Sequence, residues 1–270
     1  MNLFILNYRI TNYTSQQSFD FSYQPLSMYF FKLFILFLFA LPLQSQVSKI
    51  EYARTVKWSE IAKSLPHLSK EEKDRISMTW GKNKSDADPY VLIYDESQAI
   101  YYLDEDNMPP QQWNWRREKR FLHTSLKDKK RLDNIEMLGK SFVFEDDMLR
   151  FKWKILNEIK EVAGYVCMKA ETIDTVKNQK IVAWFASEIP VSLGPEGFSG
   201  LPGLILEIDK NNGSAIVTAT KIIKDSISTP IKIPKKKGKK ITNQKFDAFV
   251  SKHIKESFTA QRNPYWGLYY

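Results

Sequence analysis

Apolar and polar positions alternate along most of this chain with the two-residue period of β-strands. Val47–Lys57 predicts an opening strand, with Ile50, Tyr52 and Thr55 set among charges, and Trp58–Leu65 a short helical turn. Ser69-Lys70-Glu71-Glu72 is a capping-box pattern, in which the hydroxyl serves the amide three residues on and Glu72 reaches back. It predicts a helix from Lys70 to about Met78, ended by Gly81. Tyr90–Tyr94 and Ala99–Leu103 flank a short polar turn and read as a hairpin. Asp104–Arg117, with Pro109 and Pro110, reads as a loop. Short, evenly spaced apolar runs then predict strands at Phe121–Leu126, Asn134–Leu138, Ser141–Phe144, Arg150–Leu156, Glu158–Val162, Tyr165–Thr172 and Lys180–Ser187. Asn211-Asn212-Gly213 joins two more, Leu204–Asp209 and Ser214–Ile223, through a turn that accepts positive φ. In the first of these Leu204, Leu206 and Ile208 are expected to face the core, with Ile205, Glu207 and Asp209 on a half-wet face. Thr242–Glu256 places Phe246, Phe249, Val250 and Ile254 at helical spacing behind Thr242 or Asn243 as cap. Pro264-Tyr265-Trp266 shows no clear element. The expected fold is therefore mainly β, of the α+β class. It is a curved antiparallel meander or half-barrel with short N-terminal helices and one packed C-terminal helix.

Composition narrows the setting. The 270 residues are 43% hydrophobic and 14% aromatic, with a net charge of +9, and Cys167 is the one cysteine, so no intramolecular disulfide forms. Lys32 followed by nine apolar residues, Leu33–Leu41, then Pro42 and Leu43-Gln44-Ser45-Gln46, has the layout of a secretory signal beginning at Met28. The apolar run is short of the roughly 20 residues a membrane span needs. The expected organisation is an over-extended, unstructured start at 1–27, a signal at 28–46, and one β domain at 47–270. After cleavage no stable transmembrane helix remains, and an exported location makes nucleic acid an implausible partner. Cys167, in an oxidising compartment, is expected to be buried.

Gly194-Pro195-Glu196-Gly197-Phe198-Ser199-Gly200-Leu201-Pro202-Gly203 holds four of the ten glycines. The three-residue glycine spacing matches neither the dinucleotide fingerprint nor a P-loop, and a strand follows it instead of a helix. Gly197-Phe198-Ser199-Gly200 lacks the second spacer of a hydrolase elbow. The physical reading is a compact turn system, with Pro195 and Pro202 fixing φ and the glycines allowing positive φ or close backbone approach. His67, His123 and His253 stand apart from one another and from any cysteine pair, giving no zinc pattern. Asp146-Asp147 and Asp104-Glu105-Asp106 read as solvated turns. No catalytic residue, metal ligand or cofactor motif emerges.

Gly200-Leu201-Pro202-Gly203-Leu204-Ile205 spells GLPGLI, and the chain resembles the GLPGLI family of predicted secreted proteins of Bacteroidetes. Gly164-Tyr165-Val166-Cys167-Met168-Lys169-Ala170, the Ala183-Trp184-Phe185 and Glu188-Ile189-Pro190 segments, and Gly194-Pro195 with Phe198 extend the resemblance. It is dense from Trp153 to Glu207 and looser elsewhere. It implies an exported, mostly β protein of unassigned role and transfers no catalytic residues. The expected function is non-enzymatic: binding an envelope partner protein in the periplasm, at the outer membrane or outside the cell. The alternative is a carrier of an apolar ligand, a lipid or lipopeptide, on the concave face. Candidate partner contacts are Trp113 and Trp115, beside Arg116-Arg117, and the basic loop at Lys235, Lys236 and Lys237. Nothing in the pattern sets an oligomeric state.

Overall fold

The two-residue period is clear in the first strand. In β1 (Ser48–Val56) the buried positions are Ile50, Tyr52 and Arg54, every second residue. The computed structural model describes residues 47–80, 87–109, 119–224 and 233–270, and Ser45–Tyr270 is one compact unit. Residues 1–46, Gly81, Trp113 and Trp115 lie outside the described residues. The strands after β1 are β2 (Asp88–Tyr94), β3 (Gln98–Leu103), β4 (Arg120–Ser125), β5 (Lys130–Arg131), β6 (Asn134–Met137), β7 (Lys140–Phe144), β8 (Asp146–Asp147), β9 (Lys154–Val162), β10 (Tyr165–Asp174), β11 (Gln179–Ala186), β12 (Leu204–Lys210), β13 (Ala215–Ile223) and β14 (Lys239–Ile241). The helices are α1 (Trp58–Lys63), α2 (Lys70–Trp80) and α3 (Asn243–Thr259).

The fold is mainly β, one large open sheet, but its order departs from a single running meander. The path is β14-β7-β6-β4-β3-β2-β1-β13-β12-β11-β10-β9, with β5 and β8 paired beside β4. Two meanders, β1–β7 and β9–β13, meet where β1 pairs antiparallel with β13. The first strand of the domain thus lies at mid-sheet, where Tyr52 and Arg54 have neighbours on both sides. The short β14, drawn from the expected basic loop, adds parallel to β7. Lys240 of β14 pairs with Glu145 at 2.8 Å, while Lys235 and Lys237 stay exposed.

Two expected strands, Arg150–Leu156 and Glu158–Val162, are one. Residues 148–153 have no regular structure, and β9 crosses the former gap with a register shift against Met168/Lys169. Phe151 and Trp153 turn away from the ladder and pack on Phe198, at ring-centroid distances of 4.8 and 6.2 Å. The expected wet face of β12 is also corrected. A register shift at Trp184/Phe185 rotates the strand, so Ile205 and Leu206 are both fully buried and only Glu207 and Asp209 reach the half-buried range.

Two clusters form the core. The larger joins Ile50, Tyr52, Leu92, Tyr101, Ile135 and Phe144 to Val250 of α3. Phe246 of α3 meets Phe142 and Phe144 edge-on, at 5.6 and 5.0 Å. The smaller gathers Ala170, Ile181, Ala183, Phe185, Phe198, Leu201, Ile205 and Ile208. The closing segment is a short 3-10 turn at Pro264–Trp266, followed by Leu268 and Tyr270 in the larger core. The capping box at α2 is formed, with Glu72 N–H donating to Ser69 Oγ at 3.2 Å and Ser69 N–H to Glu72 Oε2 at 2.8 Å. Thr242 caps α3 by accepting from Lys245 N–H. No helix among the described residues is long and apolar enough to cross a membrane.

Candidate functional site

The glycine-rich segment between β11 and β12 leads into the middle of the protein. Leu204 N–H donates to Ile189 O at 2.9 Å and Ile205 N–H to Leu193 O at 2.8 Å, so the loop is stitched to the strand it precedes. Gly203 permits a close approach: a Cβ there would lie 2.7 Å from the carbonyl carbon of Ala186 and nearer still to its oxygen. Gly200 needs its left-handed φ of +96°, with its N–H donating to Ser192 Oγ at 2.8 Å. Trp153 Nε1–H donates to Ser199 O at 2.8 Å and closes one flank. Phe198 and Leu201 enter the smaller core, and Gly194 packs on Ile205. The motif residues Gly194, Pro195, Phe198, Gly200, Leu201, Pro202, Gly203, Leu204 and Ile205 are therefore adjacent in one turn system.

The segment also positions a charge. In the 3-10 turn Pro195–Gly197, Glu196 has φ +58°, uncommon and strained for a non-glycine residue. Its carboxylate is buried and meets two buried cations. Arg54 Nε donates to Glu196 Oε1 at 2.9 Å, and Lys210 Nζ contacts Oε2. Arg54 Nη2 and Lys210 Nζ each donate to the main-chain oxygen of Tyr270 at 2.8 Å. Burial alone would raise the Glu196 pKa, but Lys210 and Arg54 override it and hold the carboxyl at about 2. The Lys210 pKa is lowered as well, burial of the ammonium being the largest cause and Glu196 opposing it.

Tyr269 is clamped next to this cluster, with the guanidinium carbons of Arg54 and Arg120 at 3.9 and 4.0 Å from its ring centroid. Lys177 Nζ donates to Tyr269 O at 2.5 Å. Burial, then the neighbouring Lys210, push Lys177 down to about 7. A cavity of about 280 Å³ adjoins these groups. A second, of about 380 Å³, lies on the far side of Tyr269 and Tyr270, between Arg54, Tyr90, Trp58, Asp88 and Glu136. The arrangement locks charge between Glu196 and the main chain of Tyr269 and Tyr270.

Arg54, Lys210 and Glu196 were absent from the sequence candidates, yet a signal existed. Ile50-x-Tyr52-x-Arg54 and Leu206-x-Ile208-x-Lys210 place a cation on the periodicity of an apolar face. Two cations at inward positions call for one buried anion, and Gly-Pro-Glu-Gly supplies it.

A second group of candidates meets elsewhere. Gly164 and Ala163, at φ +82° and +49°, make the tight turn between β9 and β10. Cys167 is buried, and burial pushes its thiol up to about 11. Trp184 lies opposite Lys169, and its ring has Lys160 Nζ at 4.5 Å and Lys169 Nζ at 5.8 Å. Lys160 also reaches Glu207 at 2.5 Å across β10 and β11. On a flat sheet the strands would stand about 14 Å apart, three spacings of roughly 4.8 Å. The β9–β13 half is therefore curled. Tyr165 underlies Lys224, Ala170 is in the smaller core, and Pro190 is exposed. Among the described residues no three His, Cys, Asp or Glu side chains are grouped to hold a metal. His123 and His253 are occupied by Gln98 Oε1 and Pro264 O at 3.0 and 3.1 Å.

A family profile described as "Protein of unknown function (Porph_ging)", associated with Bacteroidetes, matches residues 171–207. That stretch runs from β10 to Glu207 and contains the glycine-rich turn. No curated protein matches the chain. Among solved structures, PNGF-II in its P21 crystal form superposes with a TM-score of 0.51 at 15% identity, covering 76% of this chain and 33% of that one. Its C2 form gives 0.48 at 15% identity over 77% and 33%. The chain spans about a third of the length of these structures, and the first likeness is one of fold.

Proposed function

We propose that the chain is a GLPGLI-family protein, exported by its 28–46 segment, that acts without catalysis by binding a partner protein of the cell envelope. The observation that carries this reading is the unpaired edge of β9. β9 is nine residues long and ends the hydrogen-bonded path of the sheet, paired with β10 alone among the described residues, although the curl brings β13 near it. Ile155 and Ile159 are 49% and 70% exposed there. They lie opposite Ala170 and Met168, so they share one face, and exposed Val166 of β10 is on that face as well. Soluble proteins blunt long edges or use them, and an extended partner segment adding as a further strand would satisfy both the backbone and the isoleucines. Lys154, Glu158 and Glu161 flank the stripe and would set register and discourage self-pairing.

The test is photo-crosslinking in cells from an unnatural residue at Ile159, with Glu71 on exposed α2 as control. The reading expects a discrete adduct from Ile159 alone, and mass spectrometry of the mature chain should begin near Ser45 or Gln46. No adduct, or the same adducts from both positions, rejects it. A second reading, an apolar-ligand carrier, draws on the about 380 Å³ cavity and its aromatic lining of Trp58, Tyr90 and Tyr265. Arg54, Asp88 and Glu136 in the same lining suit a lipid tail poorly. Lipid co-purifying with the protein would favour that reading over the first.

A further inference from the structure

The about 280 Å³ cavity contains polar groups that the protein does not satisfy. Gln179, at the start of β11, is only 1% exposed, and neither its Nε2 nor its Oε1 has a partner. Buried amides are paired in nearly all folded proteins, so an orphan lining a cavity points to something that fills it. Arg120 and Lys177 line the same space. Arg120 rests on Tyr269 and has no carboxylate partner among the described residues. Four carboxylates also line the space, Asp133, Asp174, Glu196 and Asp247; Asp133 is paired with Arg131, Glu196 is shared by Arg54 and Lys210, and Asp174 accepts from the N–H groups of Val176 and Lys177. Five cations, Arg120, Arg131, Arg150, Lys177 and Lys210, therefore face four carboxylates around an unpaired amide.

We propose that this cavity binds a small organic carboxylate that also bears a hydroxyl or amino donor. Arg120 and Lys177 take the carboxylate, and Gln179 reads the second group with its carbonyl and amide. A planar guanidinium fork matches a carboxylate in two parallel hydrogen bonds. The volume is at the low end for ligand sites, which leaves no room for an acyl chain or an oligosaccharide. Leu122, Ile181 and Phe198 on the wall accept a short carbon stem, and exposed Arg150 and Ile173 stand at the mouth.

The experiment uses the mature chain with L-malate, L-glutamate and inorganic phosphate as probes, read by calorimetric titration and by thermal melting. Malate or glutamate should bind and raise Tm by roughly 3–6 °C at about ten times Kd. Arg120→Gln should weaken binding at least tenfold, the loss of about one charge-assisted bond. Gln179→Leu should abolish binding while the apo Tm holds or rises, because an orphan amide has been replaced by an apolar group of similar size. Circular dichroism confirms that both variants fold. The proposal fails if no probe binds, if phosphate binds and the carboxylates do not, or if both variants bind as the parent does.

Discussion

Replacing Glu196 by Gln is the sharpest perturbation, because it keeps shape and removes one charge from a closed cluster. In the protein, the Arg54, Glu196 and Lys210 side chains are 6%, 3% and 4% exposed. Water therefore cannot take over when the carboxylate is lost, and two cations remain facing each other. Breaking a buried pair from one side costs about 3–5 kcal/mol. At about 2–4 °C per kcal/mol for a domain of this size, Tm should fall by roughly 6–20 °C. Urea unfolding followed by circular dichroism should show the midpoint shift with an unchanged slope. Acid supplies an independent check. Because the folded carboxyl titrates near 2 instead of the ordinary 4.5, its contribution is fully present above 4.5 and is lost as pH falls toward 2. That loss should amount to about 3 kcal/mol in the parent and be absent from the Gln variant. A penalty under about 1 kcal/mol, or the same acid slope in both proteins, would refute a buried, ion-paired carboxylate.

Other outcomes follow from single contacts. Gly203→Ala should cost about 1–3 kcal/mol by driving a methyl into the Ala186 carbonyl, whereas Gly164→Ala, with open space and only a positive φ to accommodate, should cost about 1; paired urea titrations compare them. Lys177 faces Lys210, Arg120, Asp174 and Glu196, and its pKa near 7 lies below the ordinary 10.5. The unfolded chain therefore binds more protons across that window, and stability should rise with pH from about 7 to 9, a slope that Lys177→Met removes. Cys167 should resist alkylation by iodoacetamide at pH 8 in the native protein and react on unfolding, since its thiol is buried and titrates near 11.

The strands were legible where one face is buried and one is wet, as in β1, β6 and β13, since alternation is a local signal. Strand order was not, because the pairing of β1 with β13 is decided by which edges the two meanders leave free, and no window of sequence contains both. β9 was split because Asn157 and Glu158 break an apolar run. At the sheet edge that break costs little, and a register shift absorbs it. The glycine-rich turn was legible as scaffold from its prolines and glycines, but the role of its Glu196 depends on partners 142 residues before and 14 after it, taking Arg54 and Lys210 from the numbering. Tyr265, Leu268 and Tyr270 at the chain's end gave no periodicity to read, as their core positions come from a 3-10 turn and the irregular segment after it.

A strained turn delivers the ionised Glu196 carboxylate into the interior of the protein. The direct measurement is a carbon-13 NMR titration of the Glu196 side-chain carboxyl in the folded protein. It should remain ionised far below the ordinary glutamate range and protonate near 2, together with loss of structure. A free titration at 4.5 or above, with the fold intact, would contradict the account.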